Sequence, residues 1–134
     1  MGGTCVNKGC VPSKALLAAS GKVREIANYE HLVKFGIHAS PVRFERSKIA
    51  DHANNLVSNV RQNLTKTLKR SGVEIILGFG RLEGSHKVGV RDNNGIDRIF
   101  TCENIVLATG SSPFVPPGIT LDNRTVFTLS LIHI

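Results

Sequence analysis

The sequence predicts an α/β fold, with helices in the first half of the chain and strands in the second. Two long segments carry apolar residues at steps of three and four, the spacing of one helix face. They are followed by β-branched and alternating segments around Asn93-Asn94-Gly95, a strong hairpin-turn signal. A short, wholly apolar run at residues 105–108 is typical of a strand buried on both faces.

The two helices are predicted at residues 11–28 and 47–70. Pro12 suits the start of the first, because its missing N–H costs nothing in a first turn. Ser71-Gly72 ends the second, whose apolar stripe consists of Ile49, Ala53, Leu56, Val60, Leu64 and Leu68. Residues 29–46 are irregular and predict a loop. Strands are predicted at residues 73–77, 87–91, 98–102 and 105–108.

Composition excludes several classes of function. The chain has 134 residues, enough for one domain with a core, and a net charge of +7. Its clustered cations, however, lie on the helix that carries the apolar stripe, and with no Trp and one Tyr there is little for bases to stack on. We therefore predict no nucleic-acid partner. No apolar run approaches the ~20 residues of a membrane span, and no secretory signal is evident.

Cys5 and Cys10 dominate the start of the chain, in the segment GGTCVNKGCVPSK. A disulfide that closes so short a loop removes little chain entropy and is a poor structural staple. A strained bond of this kind is easily reduced, and the helix N-terminus behind it favours a thiolate. We interpret Cys5–Cys10 as a redox-active disulfide in a glycine-rich turn. An odd count of three cysteines indicates an intracellular, reducing compartment, with Cys102 a buried structural thiol.

A zinc site is the alternative for these cysteines. It would need Cys5, Cys10 and one of the five histidines, which are His31, His38, His52, His86 and His133. The spacing is at the wide end for zinc and no second Cys or His pair follows, so the redox interpretation is favoured. His52 is interpreted as a histidine on the helix surface.

The segment GGTCVNKGCVPSK resembles the active site of the class I pyridine nucleotide–disulfide oxidoreductases. Ser13 is more similar to lipoamide dehydrogenases or mercuric reductases than to glutathione reductases. The stretch DHANNLVSNVRQNLTKTLKRSGVEIILGFG, residues 51–80, resembles the lipoamide dehydrogenases of plastids and cyanobacteria. The resemblance implies a partial FAD-binding Rossmann-like domain, of the FAD/NAD(P)-binding type, with helices and a β-meander.

The resemblance also implies roles for individual residues. Cys10 corresponds to the thiolate beside the flavin, and Cys5 to the interchange thiol that meets a dithiol substrate. Lys14 corresponds to a lysine near the flavin ring, where its charge stabilises the reduced, anionic form.

The second informative segment is Ala108-Thr109-Gly110-Ser111, at the end of the predicted buried strand. Alone it would be an ordinary strand end. After the cysteine motif, the resemblance implies that Thr109, Gly110 and Ser111 lie beside the flavin. It also implies that Gly80 approaches the adenosine part of FAD.

Several parts of such an enzyme are not in this sequence. No GxGxxG precedes the cysteines to hold the pyrophosphate of FAD, and no second fingerprint for NAD follows residue 111. We therefore expect residues 1–134 to be an incomplete FAD-binding domain. It would comprise the redox-disulfide helix segment 1–28, the long helix 47–70 and strands within 73–110, with a divergent tail at 129–134. The isolated chain is expected to be inactive.

The resemblance implies a fragment of a dihydrolipoamide dehydrogenase, which uses FAD and NAD and forms a homodimer. Its partners would be the lipoyl domains of 2-oxo acid dehydrogenase complexes, in a plastid stroma or a bacterial or cyanobacterial cytoplasm. No metal is expected. Two alternatives remain open: another disulfide or mercuric reductase of the same family, and a non-enzymatic thiol module.

Overall fold

The computed structural model of the chain describes residues 1–131. The chain divides into two compact units, residues 1–65 together with 111 onwards, and residues 66–110. The first contains most of the helical residues and the second contains a small sheet. Among the described residues, no helix is long and apolar enough to cross a membrane.

Four α-helices precede the sheet: α1 at Gly3–Lys8, α2 at Cys10–Ala27, α3 at Tyr29–Lys34 and α4 at Arg46–Arg70. The predicted helices at residues 11–28 and 47–70 are confirmed as α2 and α4. Helix α4 ends as its sequence predicts, since Gly72 adopts φ +74°. The Val73 N–H then bonds to the Leu68 carbonyl at 3.0 Å, and the Gly72 N–H to the Lys69 carbonyl at 3.1 Å.

Two short helices were not predicted. Cys5 lies within α1 and not in a turn. The helix begins with a hydrogen bond of 3.1 Å from the Val6 N–H to the Gly2 carbonyl, which Gly2 can present at φ +95°. Helix α3 begins at the carbonyl of Asn28, which accepts hydrogen bonds from the N–H groups of His31 and Leu32. At six residues each, both helices are too short for apolar periodicity to reveal them.

The sheet has three antiparallel strands in the order β1-β2-β3: β1 at Gly78–Gly84, β2 at Lys87–Asp92 and β3 at Asp97–Thr101. The predicted hairpin at residues 93–95 is confirmed between β2 and β3. An Asp92 carboxylate oxygen accepts hydrogen bonds from the N–H groups of Asn94 and Ile96, both at 2.9 Å. Gly95 supplies the φ of +81° that the turn requires.

Two strand predictions were wrong. Residues 73–77 form no strand, because β2 pairs with the next segment, from Gly78 opposite Asp92 to Gly84 opposite Lys87. Residues 105–108 also form no strand, and Val106 and Leu107 are 88% and 68% exposed. A strand buried on both faces needs a partner on each side. Within the described residues, none pairs with this segment.

Burial is sparse. The buried apolar side chains of the described residues are Val6, Ala15 and Ala53, with Pro12 enclosed completely. Three of these four lie within the first 15 residues, close to the two cysteines. A 3₁₀ helix at Leu129–Leu131 contacts α1, so the described part of the predicted tail lies against the helix that carries Cys5. Residues 132–134 of that tail lie outside the described part of the chain.

Candidate active site

The cysteine pair lies where two helices meet. Cys5 is in α1 and Cys10 is the first residue of α2, with Gly9 between the helices. Both are free thiols and both are exposed, and their sulfur-bearing side chains are joined by a hydrogen bond. This arrangement is the reduced state of the pair that the sequence predicts. The disulfide itself stays a prediction.

The pair is electrically asymmetric. The hydrogen bond to the Cys10 side chain, and then the charge of Cys10, raise the pKa of the Cys5 thiol above its ordinary value. Lys14 acts in the opposite direction through its positive charge, as the smallest of the contributions. A thiol that donates its proton to a neighbouring sulfur holds that proton more tightly. The hydrogen bond therefore favours the protonated form of Cys5.

Hydrogen bonds and a proline close to the cysteines position the ends of α1 and α2. The Asn7 side-chain amide donates hydrogen bonds to the carbonyls of Gly3 at 2.7 Å and Met1 at 3.1 Å, which closes α1 on itself. Helix α2 begins with a hydrogen bond of 3.1 Å from the Ser13 N–H to the Gly9 carbonyl. Pro12 lies in this first turn, fully buried, where it forfeits no helical hydrogen bond.

Cys10 and Lys14 lie one helical turn apart and line one groove of about 500 Å³. The opposite wall belongs to α4 and consists of His52, Leu56 and Val60. Ala15 and Ala18 form part of the floor, so the groove is mainly apolar, with a thiol and a lysine at one side. The structure thus brings Cys5, Cys10 and Lys14 together.

His52 lines the site, although its sequence context predicts only a surface histidine. It was interpreted as a surface histidine, and it is exposed, but it also lines the groove that contains Cys10. The sequence does carry a signal for this placement: His52 precedes Leu56 by four residues and Val60 by eight, so all three lie on the same face of α4.

Gly80 lies in the second unit, in the middle of β1 and opposite Val90. It is exposed, and a β-carbon there would meet only the Val88 Cγ1 atom at 4.0 Å. Gly78, two residues earlier, differs: its β-carbon would lie 2.3 Å from the Arg91 carbonyl oxygen. The pairing of β1 with β2 therefore requires a glycine at position 78. At position 80 it does not, because the strand pairing leaves room for a side chain.

Thr109 and Gly110 end the second unit, and Ser111 lies in the first. All three are exposed and none lies in a helix or strand. Gly110 adopts φ +81°, a backbone conformation that favours glycine whether or not a ligand is present. Their contact with a flavin stays a prediction.

The zinc alternative needs a third ligand beside the cysteines. Within residues 1–131, no group of three His, Cys, Asp or Glu side chains is placed to hold a metal ion. His133 lies outside the described residues. Cys102 is half-buried in the other unit, directly after β3, and its N–H bonds to the His86 carbonyl at 3.0 Å.

The chain is similar to known proteins in sequence and in fold. The family model described as "Pyridine nucleotide-disulphide oxidoreductase" matches residues 1–132. The chain is 51% identical over 128 residues to dihydrolipoyl dehydrogenase 2, chloroplastic, of Arabidopsis thaliana, which covers 96% of this chain and 22% of that protein. It is 52% identical, over the same share of this chain and 27% of the relative, to dihydrolipoyl dehydrogenase of Synechocystis sp..

Among solved structures, the chain is similar to LpdA from Mycobacterium tuberculosis, with a TM-score of 0.82 and 26% identity. The match covers 99% of this chain and 29% of LpdA. The chain therefore spans about a quarter of the length of the curated relatives it matches. The predicted fold class, a partial FAD-binding Rossmann-like α/β domain, is confirmed by this likeness and by the family match. The chain belongs to the FAD-dependent pyridine nucleotide–disulphide oxidoreductase family.

Proposed function

We propose that this chain is part of a dihydrolipoamide dehydrogenase and contains its redox-active cysteine pair. The observation that carries the proposal is the placement of Cys5 and Cys10. They are two exposed thiols in mutual contact, at the start of a helix and beside Lys14. The names of the chloroplast and cyanobacterial relatives support the choice of substrate.

In the proposed reaction, Cys5 exchanges with the substrate. A thiolate of dihydrolipoamide attacks the Cys5 sulfur of the Cys5–Cys10 disulfide, and Cys10 leaves as a thiolate. The second substrate thiolate then attacks the mixed disulfide. Lipoamide is released with its disulfide closed, and Cys5 leaves with a proton.

The described residues fit part of a flavin site. Gly80 leaves open space over an exposed strand, where a ligand can approach the backbone. The groove beside Cys10 has apolar walls for a ring system and the Lys14 cation for a developing negative charge. Bound FAD would supply the chemistry that carries the electron pair from Cys10 to NAD. Thr109, Gly110 and Ser111 are proposed as further flavin contacts.

The proposed oligomeric state, partners, electron acceptor and compartment are based on the relatives. We propose a homodimeric parent enzyme that acts on lipoyl domains of 2-oxo acid dehydrogenase complexes and takes NAD as its acceptor. The chloroplast and Synechocystis relatives support a plastid stroma or a cyanobacterial cytoplasm. The sparse burial within residues 1–131 gives no support to a free-standing thiol module, which needs a core of its own.

A single-turnover experiment tests the function. The oxidised chain is mixed with dihydrolipoamide, and released lipoamide and new protein thiols are counted. We expect one lipoamide per chain and two new thiols, at Cys5 and Cys10, with Cys102→Ala as the matched control that behaves as wild type. Reduced monothiols at equal thiol concentration should react far less. Failure of dihydrolipoamide to open the disulfide would contradict the proposal.

Flavin contact is tested by FAD binding, with fluorescence anisotropy as the readout. Gly80→Ala should lower the affinity for FAD by about tenfold, measured in this chain or in the parent enzyme. The added methyl group occupies the space in which the ligand would approach the backbone. Leu82→Ala on the same exposed strand is the control. Equal FAD affinity for wild type and Gly80→Ala would remove Gly80 from the site. With FAD and NAD added, steady NADH formation by this chain alone is not expected.

A further inference from the structure

We propose that Gly9 is a positioning residue that holds the Cys5 and Cys10 sulfurs together, because the chain turns from α1 into α2 so close to the backbone of Thr4 and Cys5 that only a glycine fits. The inference rests on the proposed function, since it concerns the geometry of the same thiol pair. It goes further by giving a role to a residue whose close neighbours are backbone atoms of α1.

The close approach is between backbone atoms. A β-carbon on Gly9 would lie 2.9 Å from the Thr4 carbonyl oxygen, 3.3 Å from the Cys5 Cα and 3.4 Å from the Thr4 carbonyl carbon. Real β-carbons essentially never come within 3.0 Å of such an atom. Because none of these atoms belongs to a side chain, no rotamer change relieves the contact. The backbone of Gly9 and helix α1 would have to move apart.

That movement would separate the thiols. Cys5 Cα is one of the atoms in contact, so displacement of α1 moves Cys5 directly. Cys10 would stay in place, because it begins α2, which is anchored by the buried Pro12 and Ala15. Gly9 is itself buried, and the position of its missing β-carbon is already occupied by the backbone of α1. A methyl group at this point therefore changes the distance between the sulfurs.

The raised pKa of Cys5 provides an independent readout of that distance. It depends first on the hydrogen bond to Cys10 and then on the charge of Cys10. Both weaken when the sulfurs move apart. A structural glycine unrelated to the thiols would leave this pKa unchanged.

The test uses the 134-residue chain and the variant Gly9→Ala. The matched control is Gly21→Ala, in the interior of α2, where an added β-carbon meets nothing within 4 Å. Each chain is equilibrated with oxidised and reduced glutathione. The two thiols lose two electrons and two protons as the disulfide forms, and one oxidised glutathione becomes two reduced molecules. The disulfide-forming equilibrium constant is read by mass spectrometry after acid quenching.

We expect Gly9→Ala to lower this equilibrium constant by about tenfold, equivalent to ~30 mV for a two-electron couple. Its Cys5 should also alkylate faster with iodoacetamide at pH 8, because the pKa falls toward its ordinary value. Gly21→Ala should match wild type in both. Thr4→Ala added to Gly9→Ala should give no rescue, since the contact is with the Thr4 main chain.

Three results would overturn or redirect the inference. Equal equilibrium constants and alkylation rates for Gly9→Ala and Gly21→Ala would refute it. Loss of the helical circular dichroism signal in Gly9→Ala, with its three cysteines alkylating alike, would also refute it, because the methyl would then act on the whole fold. If wild type itself forms no intramolecular disulfide with glutathione, the proposed function fails instead, and the two failures are distinguishable.

Discussion

Arg91 holds both carboxylate oxygens of Asp97 across the β2–β3 hairpin, with Nε 3.1 Å from Oδ1 and Nη2 2.7 Å from Oδ2. This two-point contact fixes the guanidinium and the carboxylate in one plane, the favourable geometry for the pair. Arg81 on β1 reaches the same carboxylate, with its Nη1 3.5 Å from Oδ1. One acidic side chain therefore links all three strands of the sheet.

The pair predicts an acid-labile sheet. The hydrogen bond from Arg91 lowers the pKa of Asp97 below its ordinary value. A lowered folded-state pKa contributes stability above the unfolded-state pKa of about 3.9, and that stability is lost as pH falls through the lower folded value. The protection factors of amides in β2 and β3, taken relative to the intrinsic exchange rate at each pH, should therefore fall below about pH 4, as followed by NMR.

Asp97→Asn should weaken the acid dependence of amide exchange, because the titrating group is gone. Glu74→Gln is the control, an exposed carboxylate in the same unit without an ion pair among residues 66–110. Its pH profile should match that of wild type. An unchanged profile in Asp97→Asn would show that another group controls the acid response.

The thiol pair predicts that loss of one cysteine changes the chemistry of the other. Cys10→Ala removes the hydrogen bond and the charge that raise the pKa of Cys5. At pH 8, Cys5 should then react with iodoacetamide roughly threefold to tenfold faster, since the thiolate is the nucleophile. Peptide mass spectrometry gives the rate for each cysteine. Cys102→Ala should leave the Cys5 rate as in wild type, and a Cys5 rate unaffected by Cys10→Ala would contradict the predicted contact.

Replacing Gly78 is expected to destabilise the sheet locally. Gly78→Ala places a methyl group 2.3 Å from the Arg91 carbonyl oxygen, and the strands must separate there. Forcing extra volume into a packed position costs roughly 1–3 kcal/mol. Gly80→Ala is the matched control, because its methyl meets open space and removes a flexible glycine from a strand. Denaturant-dependent amide exchange of β1 and β2 compares them, and equal stability of the two variants would refute the prediction.

Exposed apolar residues predict self-association. Val106 and Leu107 lie in a segment with no strand partner among the described residues. Val106→Lys should weaken association by about tenfold or more, since burying a valine is worth ~1.5–3 kcal/mol. Val106→Ile is the control that keeps the segment apolar. Sedimentation velocity at rising concentration measures the effect, and equal association in both variants would exclude this segment as the contact.

Helices α2 and α4 and the turn at residues 93–95 were predictable because their signals are local: periodicity, a terminal glycine and turn residues. The first strand was placed too early because its register depends on the fit of Gly78 against Arg91, a contact between distant positions. Residues 105–108 were predicted as a strand from apolar character alone. An apolar strand of this kind is stable only with a neighbouring strand on each side, and no strand within residues 1–131 pairs with it.

The candidate active site also has features that the sequence predicts and features that it does not. The adjacency of Cys5 and Cys10 follows from their spacing, and the structure places Lys14 with them. Neither the contact of Gly9 with the Thr4 backbone nor the place of His52 in the groove could be derived from the sequence. The place of His52 depends on how α4 is positioned against α2, and the Gly9 contact depends on the path of the chain between α1 and α2.

The thiol pair is assembled from neighbouring parts of the chain. Val6, Gly9, Pro12 and Ala15 supply the burial around it, and the helices that carry the two cysteines are consecutive. Helices form in about 0.1–1 μs, whereas β-hairpins such as those of this sheet take about 1–10 μs. The sulfurs can therefore meet early in folding, ahead of the sheet on which Gly80 lies. Oxidation of the pair to a disulfide therefore does not have to wait for the sheet to form.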